Sequence, residues 1–323
     1  MPSYYTNSKK ETFRSTEPQQ SDAVSVDMFL VGINIRGNTR MFTILKRKDL
    51  NEKVVQMVID APLIAKKAQA GQFIILRVDE YGERIPLTVA DYDREAGTIT
   101  IIFQIAGATT AMLAKKQQGD SISDFAGPLG TASEFDGIKS AAVIGGGVGC
   151  AIAYPQAKKL HELGAKVDVI TGFRNKDIII LEDEFKSASD RLFIATDDGS
   201  NGNKGFVTDI LKKLIEDGAK YDAVIAIGPL VMMKAISALT KTYNIKTIVS
   251  MNPIMIDGTG MCGGCRLTVG GETKFACVDG PDFDGHLVDF DEAISRSHMY
   301  SDLEKSAMHR FECNLMKGVD NVG

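Results

Sequence analysis

The sequence predicts an antiparallel β-barrel, followed by a parallel-sheet α/β domain and a small C-terminal module, a class best described as α/β plus β. Short segments with alternating apolar residues, separated by glycines, fill residues 41–125. From about residue 130 strands alternate with helices, which is typical of a parallel sheet covered by helices. Three of the five cysteines then fall close together near the C-terminus.

The first part of the chain has the pattern of a small barrel. Residues 42–45, 54–59, 73–78 and 98–104 alternate apolar and polar side chains and are bounded by glycines. Closing short antiparallel strands into a barrel removes exposed sheet edges. We therefore predict one barrel domain over residues 41–135.

The second part has the rhythm of a parallel sheet. Apolar strands are predicted at 141–144, 167–170, 192–195 and 223–227, with helices between them. This pattern assigns residues 136–250 to an α/β domain. Residues 251–290 then form a cysteine-rich module and 291–323 a C-terminal tail. Residues 1–40 form a polar N-terminal extension, expected to be flexible or to dock on a partner.

Composition excludes several classes of protein. The chain has 323 residues, 44% hydrophobic and 24% charged, which is enough for two or three cores. Its net charge is −5 and it has no basic stretch suited to nucleic acid. No segment has the apolar length of a membrane span or the apolar core of a signal peptide. Five cysteines, three of them clustered, suit a reducing compartment and predict a cytoplasmic protein.

The cysteine cluster has the spacing of a metal centre. Asp257, Cys262, Cys265 and Cys277 are separated by four, two and eleven residues. This spacing is close to that of the four cysteines that hold a [2Fe–2S] cluster, with an acid at the first position. Intervening glycines allow the backbone to turn tightly around such a cluster. A structural zinc and an accidental grouping of thiols are the alternatives.

A glycine-rich turn is predicted between a strand and a helix of the α/β domain. Its glycines are Gly145, Gly146, Gly147 and Gly149. Backbone amides at such a turn can approach a dinucleotide pyrophosphate at the positive end of the helix, but a tight turn without a ligand also needs glycine. The acid that normally follows the second strand is absent, and Arg174 there meets either a phosphate or solvent. Gly228 and Pro229, after a later strand, border a nicotinamide or only begin a helix.

One segment of the predicted barrel also suits a cofactor. Arg84 is followed by Pro86, Leu87 and Thr88. A cation before a proline-stiffened strand that ends in a hydroxyl can hold a phosphate at one end and a ring nitrogen at the other. An edge strand with a solvated arginine explains the same residues.

In this order the motifs resemble the ferredoxin–NADP reductase superfamily, whose flavin barrel precedes a pyridine-nucleotide domain. The motifs are Arg84-x-Pro-Leu-Thr88, Gly107-Ala-Thr-Thr110, Gly127-Pro-Leu-Gly130, the loop from Gly145 and Gly228-Pro229. The cysteine-rich segment and the phrase at residues 196–208 narrow the resemblance to electron-transfer subunits related to that of dihydroorotate dehydrogenase B. The resemblance covers about residues 41–290.

The resemblance implies three cofactors: FAD, NAD(H) and a [2Fe–2S] cluster, with NADP(H) left open as the nucleotide. It implies that Arg84 binds the FAD diphosphate and that Thr88 lies near the flavin N5. Pro86 and Leu87 would line the isoalloxazine, and diphosphate contacts would come from Gly107 and Thr110. The dinucleotide would be held by Gly145, Gly146, Gly147, Gly149, Gly228 and Pro229. The cluster ligands would be Asp257, Cys262, Cys265 and Cys277.

The implied function is electron transfer without an acid, base or nucleophile from the protein. A hydride would pass between NAD(P)H and FAD, and single electrons between FAD and the cluster. A larger flavin and iron–sulfur subunit is the expected partner, connecting the chain to ferredoxin and NADP(H) in a complex that can bifurcate electrons. Asp257 favours the small subunits of NADH-dependent ferredoxin:NADP oxidoreductases.

Two other functions are weighed against this one. The first is the electron-transfer subunit of a dihydroorotate dehydrogenase, for which a fourth cysteine would be expected in place of Asp257. The second is a redox sensor or assembly protein that binds cofactors without turnover. The remaining thiols are interpreted as a core residue, Cys150, and a lone thiol, Cys313.

Overall fold

A computed structural model describes residues 41–80 and 82–316, so the predicted N-terminal extension lies outside the described part of the chain. Within that part, no helix combines the length and apolar character needed to cross a bilayer.

The first seven strands form one antiparallel sheet. In space their order is β6-β1-β2-β5-β4-β3-β7. They are β1 Phe42–Asn51, β2 Val54–Asp60, β3 Phe73–Arg77, β4 Ile85–Asp93, β5 Thr98–Gln104, β6 Ser121–Ile122 and β7 Asp124–Leu129. The two edge strands, β6 and β7, are separated by a single residue, so the sheet curls into a nearly closed barrel. The predicted barrel is confirmed.

Apolar side chains fill the barrel interior. Ile44, Met57, Ile74 and Ile101 have no exposed surface, and each comes from a different strand. In β2 alternation places such residues inside, whereas β3 is buried on both faces because its other face packs on the parallel-sheet domain. Two helices, α1 Pro62–Ala65 and α2 Ala108–Lys115, lie between barrel strands in the chain.

Strand β4, which begins just after Arg84, lies inside the sheet and not at its edge. It pairs with β3 through Ile85, Pro86, Leu87 and Thr88, and with β5 from Val89 onward. Strand β4 as a whole is therefore not an edge strand, but residues 85–88, which follow the exposed Arg84, are paired on one side only, as the edge-strand interpretation expects. Proline is tolerated here because the pairing with β5 starts only after Pro86, so no ladder bond on that side needs its missing N–H.

The second sheet has six strands in the order β10-β9-β8-β11-β12-β15. Its parallel strands are β8 Ser140–Gly146, β9 Lys166–Phe173, β10 Arg191–Thr196, β11 Ala223–Ile227 and β12 Lys246–Ser250. Its helices are α3 Gly149–Glu162, α4 Glu182–Ser187, α5 Val207–Glu216 and α6 Leu230–Thr242. The strand order reverses at β8, which makes the carboxyl ends of β8 and β11 the switch point where ligands of open α/β sheets bind.

The cysteine-rich segment is anchored to this second sheet. Its strand β15, Asp282–Asp284, pairs antiparallel with β12, with Asp282 opposite Ser250. Strands β13 Arg266–Val269 and β14 Glu272–Phe275 form a separate hairpin. The predicted division at residues 250 and 251 therefore falls within one continuous piece of chain that returns to the same sheet.

Two helices follow, α7 Phe290–Ser297 and α8 Ser301–Met316. Helix α8 packs on α2 of the barrel. Phe311 is buried there, and the Lys115 ammonium lies 5.0 Å from its ring centroid. The C-terminal tail thus returns to the barrel.

A buried ion pair stabilises the second sheet. The Asp168 carboxylate on β9 is 1% exposed and accepts hydrogen bonds from Arg191 Nε at 2.8 Å and Tyr221 Oη at 2.6 Å. Burial alone would raise the pKa of Asp168, but the bonds from Arg191 and Tyr221 outweigh it and hold that pKa below its ordinary value. Asp168 is therefore ionised and paired in the folded protein.

We expect Arg191→Met to lower the free energy of unfolding at pH 7 by about 3 kcal/mol, because it leaves a buried carboxylate without its cation. Urea denaturation measures this change. Since the folded-state pKa of Asp168 lies below the ordinary 3.8, the pair stabilises the protein above that pH and loses its effect as the pH falls further. The difference between variant and wild type should therefore shrink in acid.

The matched control is Lys159→Met, which removes an exposed pair with Glu162. Its effect should stay within about 0.5 kcal/mol at either pH. Equal losses for Arg191→Met at neutral and acidic pH would contradict the assigned role of Asp168.

Candidate cofactor and electron-transfer site

The two predicted nucleotide segments meet at the switch point of the parallel sheet. Gly146 ends β8, and Gly228 follows β11 directly. A Cβ added to Gly228 would lie 3.1 Å from the Gly146 backbone, and one added to Gly149 would lie 2.5 Å from the Ile227 carbonyl oxygen. Only glycine allows these two turns to touch, so their glycines have a packing role apart from any ligand.

One glycine of this turn faces open space. Gly147 has a φ of 56°, and a Cβ there would meet no atom within 4 Å. Its N–H donates to the Gly172 carbonyl at 2.8 Å, which fixes the turn to the end of β9. The start of α3 is thus accessible, with its positive helix end toward the free volume. This arrangement suits an anionic pyrophosphate.

The sequence has no acid directly after β9, where a dinucleotide-binding domain normally has one. The structure brings two acids from the end of another strand to this position. The Asp197 N–H donates to the Phe173 carbonyl at 3.0 Å, and the Asp198 N–H donates to the Arg174 carbonyl at 3.3 Å. Both aspartates are exposed and follow β10, the strand beside β9. Sequence reasoning searched only the end of β9 and missed them. Two consecutive acids directly after β10 were the sequence signal from which these residues could have been found.

The predicted flavin segment lies on the barrel beside β3. Arg84 is exposed, and Pro86, Leu87 and Thr88 are half-buried, so their side chains are open to a ligand. The Thr110 hydroxyl accepts the Gly107 N–H at 3.0 Å at the start of α2. A Cβ at Gly107 would meet no atom within 4 Å, so this helix start is also open to an anion. The residues therefore fit a flavin nucleotide with its diphosphate near α2.

The four predicted cluster ligands form two neighbouring pairs. The Sγ atoms of Cys265 and Cys277 are 3.2 Å apart, and both residues are buried. This separation is too long for a disulfide, whose sulfurs are about 2.05 Å apart. The Asp257 carboxylate accepts the Cys262 N–H at 2.8 Å and also contacts the Cys262 thiol. A [2Fe–2S] cluster needs four protein donors, two on each iron. The two pairs supply this number of donors.

The protonation of these donors follows from their surroundings. The backbone N–H of Thr259 is the main cause that lowers the pKa of Asp257, which favours the carboxylate. Burial, together with the adjacent Cys265 thiol, raises the pKa of Cys277. The raised pKa favours the neutral thiol at Cys277, and a bound metal cation reverses this by stabilising the thiolate.

The geometry favours a two-iron cluster over a single ion. Among residues 41–80 and 82–316, no three His, Cys, Asp or Glu side chains converge on one position suited to a metal ion. A structural zinc site needs four donors around one point. Two separate donor pairs in a glycine-rich loop fit a centre that spans two metal atoms.

The ligand loop packs against the barrel. A Cβ at Gly258 would lie 2.7 Å from Leu129 Cδ1 and 3.0 Å from Ile75 Cδ1. Ile75 pairs with Pro86 across β3 and β4. The loop that begins with Asp257 is therefore one strand away from the predicted flavin segment, which places the two candidate cofactor sites side by side.

The other two cysteines lie apart from this loop. Cys150 is fully buried in the first turn of α3, and burial raises the pKa of its thiol well above the usual range. Cys313 lies on α8 with its Sγ 3.7 Å from His309 Nδ1. Both interpretations made from the sequence, a core cysteine and a lone thiol, agree with these positions.

A nearly closed barrel, a parallel sheet with a glycine turn at its switch point and a cysteine-rich segment between them define an electron-transfer protein of the ferredoxin-reductase type. Comparison with known proteins supports this class. The family described as the iron–sulfur cluster binding domain of dihydroorotate dehydrogenase B matches residues 252–289, the segment that carries all four predicted ligands.

Two relatives are similar over nearly their whole length. The dihydroorotate dehydrogenase B (NAD(+)) electron transfer subunit homolog of Thermotoga maritima is 46% identical, over 85% of this chain and 97% of the relative. The electron transfer subunit of Bacillus caldolyticus is 33% identical, over 76% of this chain and 96% of the relative. The chain belongs to the family of dihydroorotate dehydrogenase B electron-transfer subunits and their homologues.

A solved structure agrees with this membership. A chain of the NADH-dependent reduced ferredoxin–NADP oxidoreductase, a structure concerned with flavin-based electron bifurcation, is 45% identical and superposes with a TM-score of 0.80. The similarity covers 85% of this chain and 99% of that chain. The predicted fold, the oxidoreductase class and the cofactor set of FAD, iron–sulfur cluster and NAD(H) are confirmed at the level of the family. The roles of individual residues stay predictions.

The contact between the ligand loop and the barrel predicts a selective effect of one glycine. We expect Gly258→Ala to lower the free energy of unfolding by about 1 to 3 kcal/mol more than Gly263→Ala. Both positions have positive φ, 76° and 65°, so both variants carry backbone strain. Only at Gly258 does the added methyl meet the barrel, because at Gly263 the nearest atom is 3.9 Å away. Urea denaturation measures the free energy of unfolding of both variants. Equal decreases would show that the loop can move away from the barrel and would contradict the prediction.

Proposed function

We propose that this chain is the small, NADH-oxidising subunit of an NADH-dependent ferredoxin:NADP oxidoreductase complex, a subunit also known as the sulfide dehydrogenase β subunit. The observation that carries the proposal is the similarity to a chain of such a complex over 99% of that chain's length. Asp257 at the first ligand position supports the same choice, because a dihydroorotate dehydrogenase subunit is expected to have a cysteine there.

The residues of the chain position the cofactors and supply no acid or base. When bound, FAD exchanges a hydride with NAD(P)H and single electrons with the cluster, which converts two-electron into one-electron chemistry. The touching turns at Gly146 and Gly228 would hold the nicotinamide end of the nucleotide at the switch point. The Thr88 hydroxyl would provide a hydrogen-bonding group at the flavin ring. Asp257, Cys262, Cys265 and Cys277 would hold the cluster.

We assign a preference for NAD(H) to the acids after β10. A carboxylate near the adenosine ribose accepts hydrogen bonds from its hydroxyls and repels a 2′-phosphate. Asp197 and Asp198 are held beside Phe173 and Arg174, where that ribose is expected from the position of the pyrophosphate turn. Hydrogen bonds from Ser200 lower the pKa of Asp198, so this carboxyl stays charged at neutral pH.

The partner subunit is assigned to the face around the ligand loop. Four large apolar side chains are exposed there: Met261 at 89%, Ile256 at 51%, Val278 at 47% and Ile254 at 42%. Exposed apolar side chains grouped in this way mark protein interfaces. Cys262 is also exposed, so a subunit docked on this face comes within short range of the cluster. Such a subunit carries electrons onward to ferredoxin and NADP(H).

The state of the thiols supports a reducing compartment. The five cysteines, Cys150, Cys262, Cys265, Cys277 and Cys313, are all free. Thiols of this kind persist where glutathione or thioredoxin keeps them reduced. We therefore place the complex in the cytoplasm.

The central test is an anaerobic titration of the purified, cofactor-loaded chain with NADH. We expect bleaching of the flavin absorbance and, at substoichiometric NADH, a paramagnetic signal of a reduced [2Fe–2S] cluster. NADPH at the same concentration should reduce the flavin more slowly, because Asp197 and Asp198 repel its phosphate. A protein that binds flavin and iron but shows no bleaching with NADH is a sensor or assembly factor, and the proposal is then wrong.

The identity of the partner subunit distinguishes the proposed function from that of a dihydroorotate dehydrogenase. Co-purification should recover a larger flavin and iron–sulfur subunit, and the complex should couple NADH oxidation to reduction of NADP⁺ with ferredoxin. A complex that reduces NAD⁺ with dihydroorotate would instead establish the second function, which the family of the chain also contains.

The carboxylate ligand predicts a further result. Asp257→Cys should retain a [2Fe–2S] centre, because the replacement restores a four-cysteine set, while its midpoint potential shifts because thiolate and carboxylate differ as donors. Iron analysis and a redox titration followed by electron paramagnetic resonance measure the two effects.

The control for this variant is Asp279→Asn, a nearby exposed residue whose side chain accepts the Phe275 N–H and is not a predicted ligand. Its potential should match that of the wild type. An unchanged potential in Asp257→Cys, or complete loss of iron, would remove Asp257 from the ligand set.

A further inference from the structure

A carboxyl group distant from the predicted cofactor contacts joins three parts of the protein. Asp282 is the first residue of β15 and lies opposite Ser250 of β12, so its backbone belongs to the parallel sheet. It follows Cys277, the last predicted cluster ligand, by five residues. Its side chain points into the junction between barrel, parallel sheet and cysteine-rich segment.

The contacts of this carboxyl come from all sides of the junction. Ser133 Oγ donates to Oδ2 at 2.5 Å, and Gln156 Nε2 lies 3.2 Å from Oδ2 and 3.5 Å from Oδ1. The Ser250 hydroxyl also bonds to it. Ser133 lies in the connection between the barrel and the parallel sheet, and Gln156 is a fully buried residue of α3. One carboxyl therefore joins the connection, the pyrophosphate helix and the segment after the cluster ligands.

Ser133 transmits this bond to the barrel. Its N–H donates to the Ala70 carbonyl at 2.9 Å, and a Cβ at Gly71 would lie 2.1 Å from its Oγ. Serine therefore contacts the barrel with its backbone and Asp282 with its side chain. Ser133 is therefore one connection between the barrel and the parallel sheet, beside the ion pair between Lys158 of α3 and Asp91 of β4.

The same connection is bonded to the cysteine-rich segment at a second place. The Thr131 N–H donates to the Gly280 carbonyl at 2.7 Å, and the Thr131 hydroxyl donates to the Val278 carbonyl at 3.1 Å. Residues 131–133 are thus fixed to the segment that follows Cys277 by one backbone N–H and by the hydroxyls of Thr131 and Ser133. Only the bond of Ser133 also reaches α3, through Asp282.

We propose that Asp282 is a positioning residue that sets the orientation of the flavin barrel relative to the nucleotide turn and the cluster loop. This inference depends on the proposed function, because it assigns Asp282 a role in the electron transfer proposed above. Helix α3 begins at the nucleotide turn with Gly149 and reaches Asp282 through Gln156 two turns later. A change at the carboxyl therefore moves the barrel relative to the bound nucleotide without touching either cofactor contact.

Burial supports a neutral form of this carboxyl. Burial is the main cause that raises the pKa of Asp282, and the bonds from Ser133, Ser250 and Gln156 only partly oppose it. Gln156 Oε1 is buried without a hydrogen-bond partner. Rotation of its amide by half a turn would bring this acceptor to a protonated Asp282, which can donate to it. An asparagine at position 282 can make the same bond with its amide.

Charged groups around the junction are mostly acidic. A cavity of about 260 Å³ beside Asp282 is also lined by Glu134 of the connection, Lys246 of β12, and Asp279 and Asp284 of the cysteine-rich segment. The raised pKa of Asp282 is nevertheless caused by burial and not by these charged groups. Because the folded-state pKa is raised, the neutral form stabilises the junction at low pH, and this contribution is lost as the pH rises through the raised value.

The experiment compares four variants of the cofactor-loaded full chain: Ser133→Ala, Asp282→Leu, Asp282→Asn and, as control, Asp284→Asn. Anaerobic stopped-flow mixing with NADH gives the rate of flavin reduction at saturation and the apparent Kd for NADH. Ser133→Ala and Asp282→Leu should reduce the rate about tenfold, since small misplacements of reacting groups have effects of this order or larger. Their Kd should stay within about twofold of wild type, because the nucleotide turn itself is intact.

Asp282→Asn should retain the wild-type rate, because its amide can replace the neutral carboxyl in the bond to Gln156. Asp284→Asn, an exposed residue on the same strand, should behave as wild type. Flavin and iron content, measured on each variant, distinguish a misfolded protein from a misplaced barrel. If Asp282→Leu fails to fold, Ser133→Ala still tests the inference, because it removes only a hydroxyl. Wild-type rates in both Ser133→Ala and Asp282→Leu would overturn the inference. A wild-type protein that NADH cannot reduce would instead overturn the proposed function.

Discussion

The antiparallel pairing of β15 with β12 is the constraint on which the arrangement of the candidate sites depends. The ligand loop leaves most of its large apolar side chains exposed, so it has no core of its own. The pairing of residues 282–284 with residues 248–250 of β12 fixes the C-terminal end of the cysteine-rich segment to the parallel sheet. The contact of Gly258 with Leu129 and Ile75 fixes its N-terminal end to the barrel. The metal-binding segment thus bridges both sheets, and the barrel and the nucleotide turn are each held against it.

Much of this architecture is legible in the sequence because local rules agree with the fold. Alternating apolar residues predicted the barrel strands, and the shift to strand and helix after residue 130 predicted the parallel sheet. Spacing alone gathered Asp257 and the three cysteines, because four donors within about twenty residues can meet through a loop that glycines allow to turn. The edge-strand interpretation of Pro86 holds only for the start of β4, because pairing with β5 begins at Val89 and the rest of the strand lies inside the sheet.

Other features depend on contacts between residues distant in the chain, for which a single sequence has no signal. Strand β15 is short and polar and is a strand only because β12 has an edge free to pair with it. Asp197 and Asp198 are held beside Phe173 and Arg174 by backbone hydrogen bonds to the end of another strand. The bond of Asp282 to Ser133 spans 149 residues of sequence. In each case the order of the strands or the contact between domains determines which residues meet, and local propensity does not.

The uneven exposure of the four ligands has a consequence for how oxidants reach the metal centre. Cys265 and Cys277 lie in the interior with their sulfurs adjacent, while Cys262 is exposed and Asp257 half-buried. Of the three cysteines in this segment, only Cys262 is directly accessible from solvent. The same asymmetry makes Cys262 the first thiol that an oxidant meets, and a docked subunit that covers it therefore also shields the centre from damage.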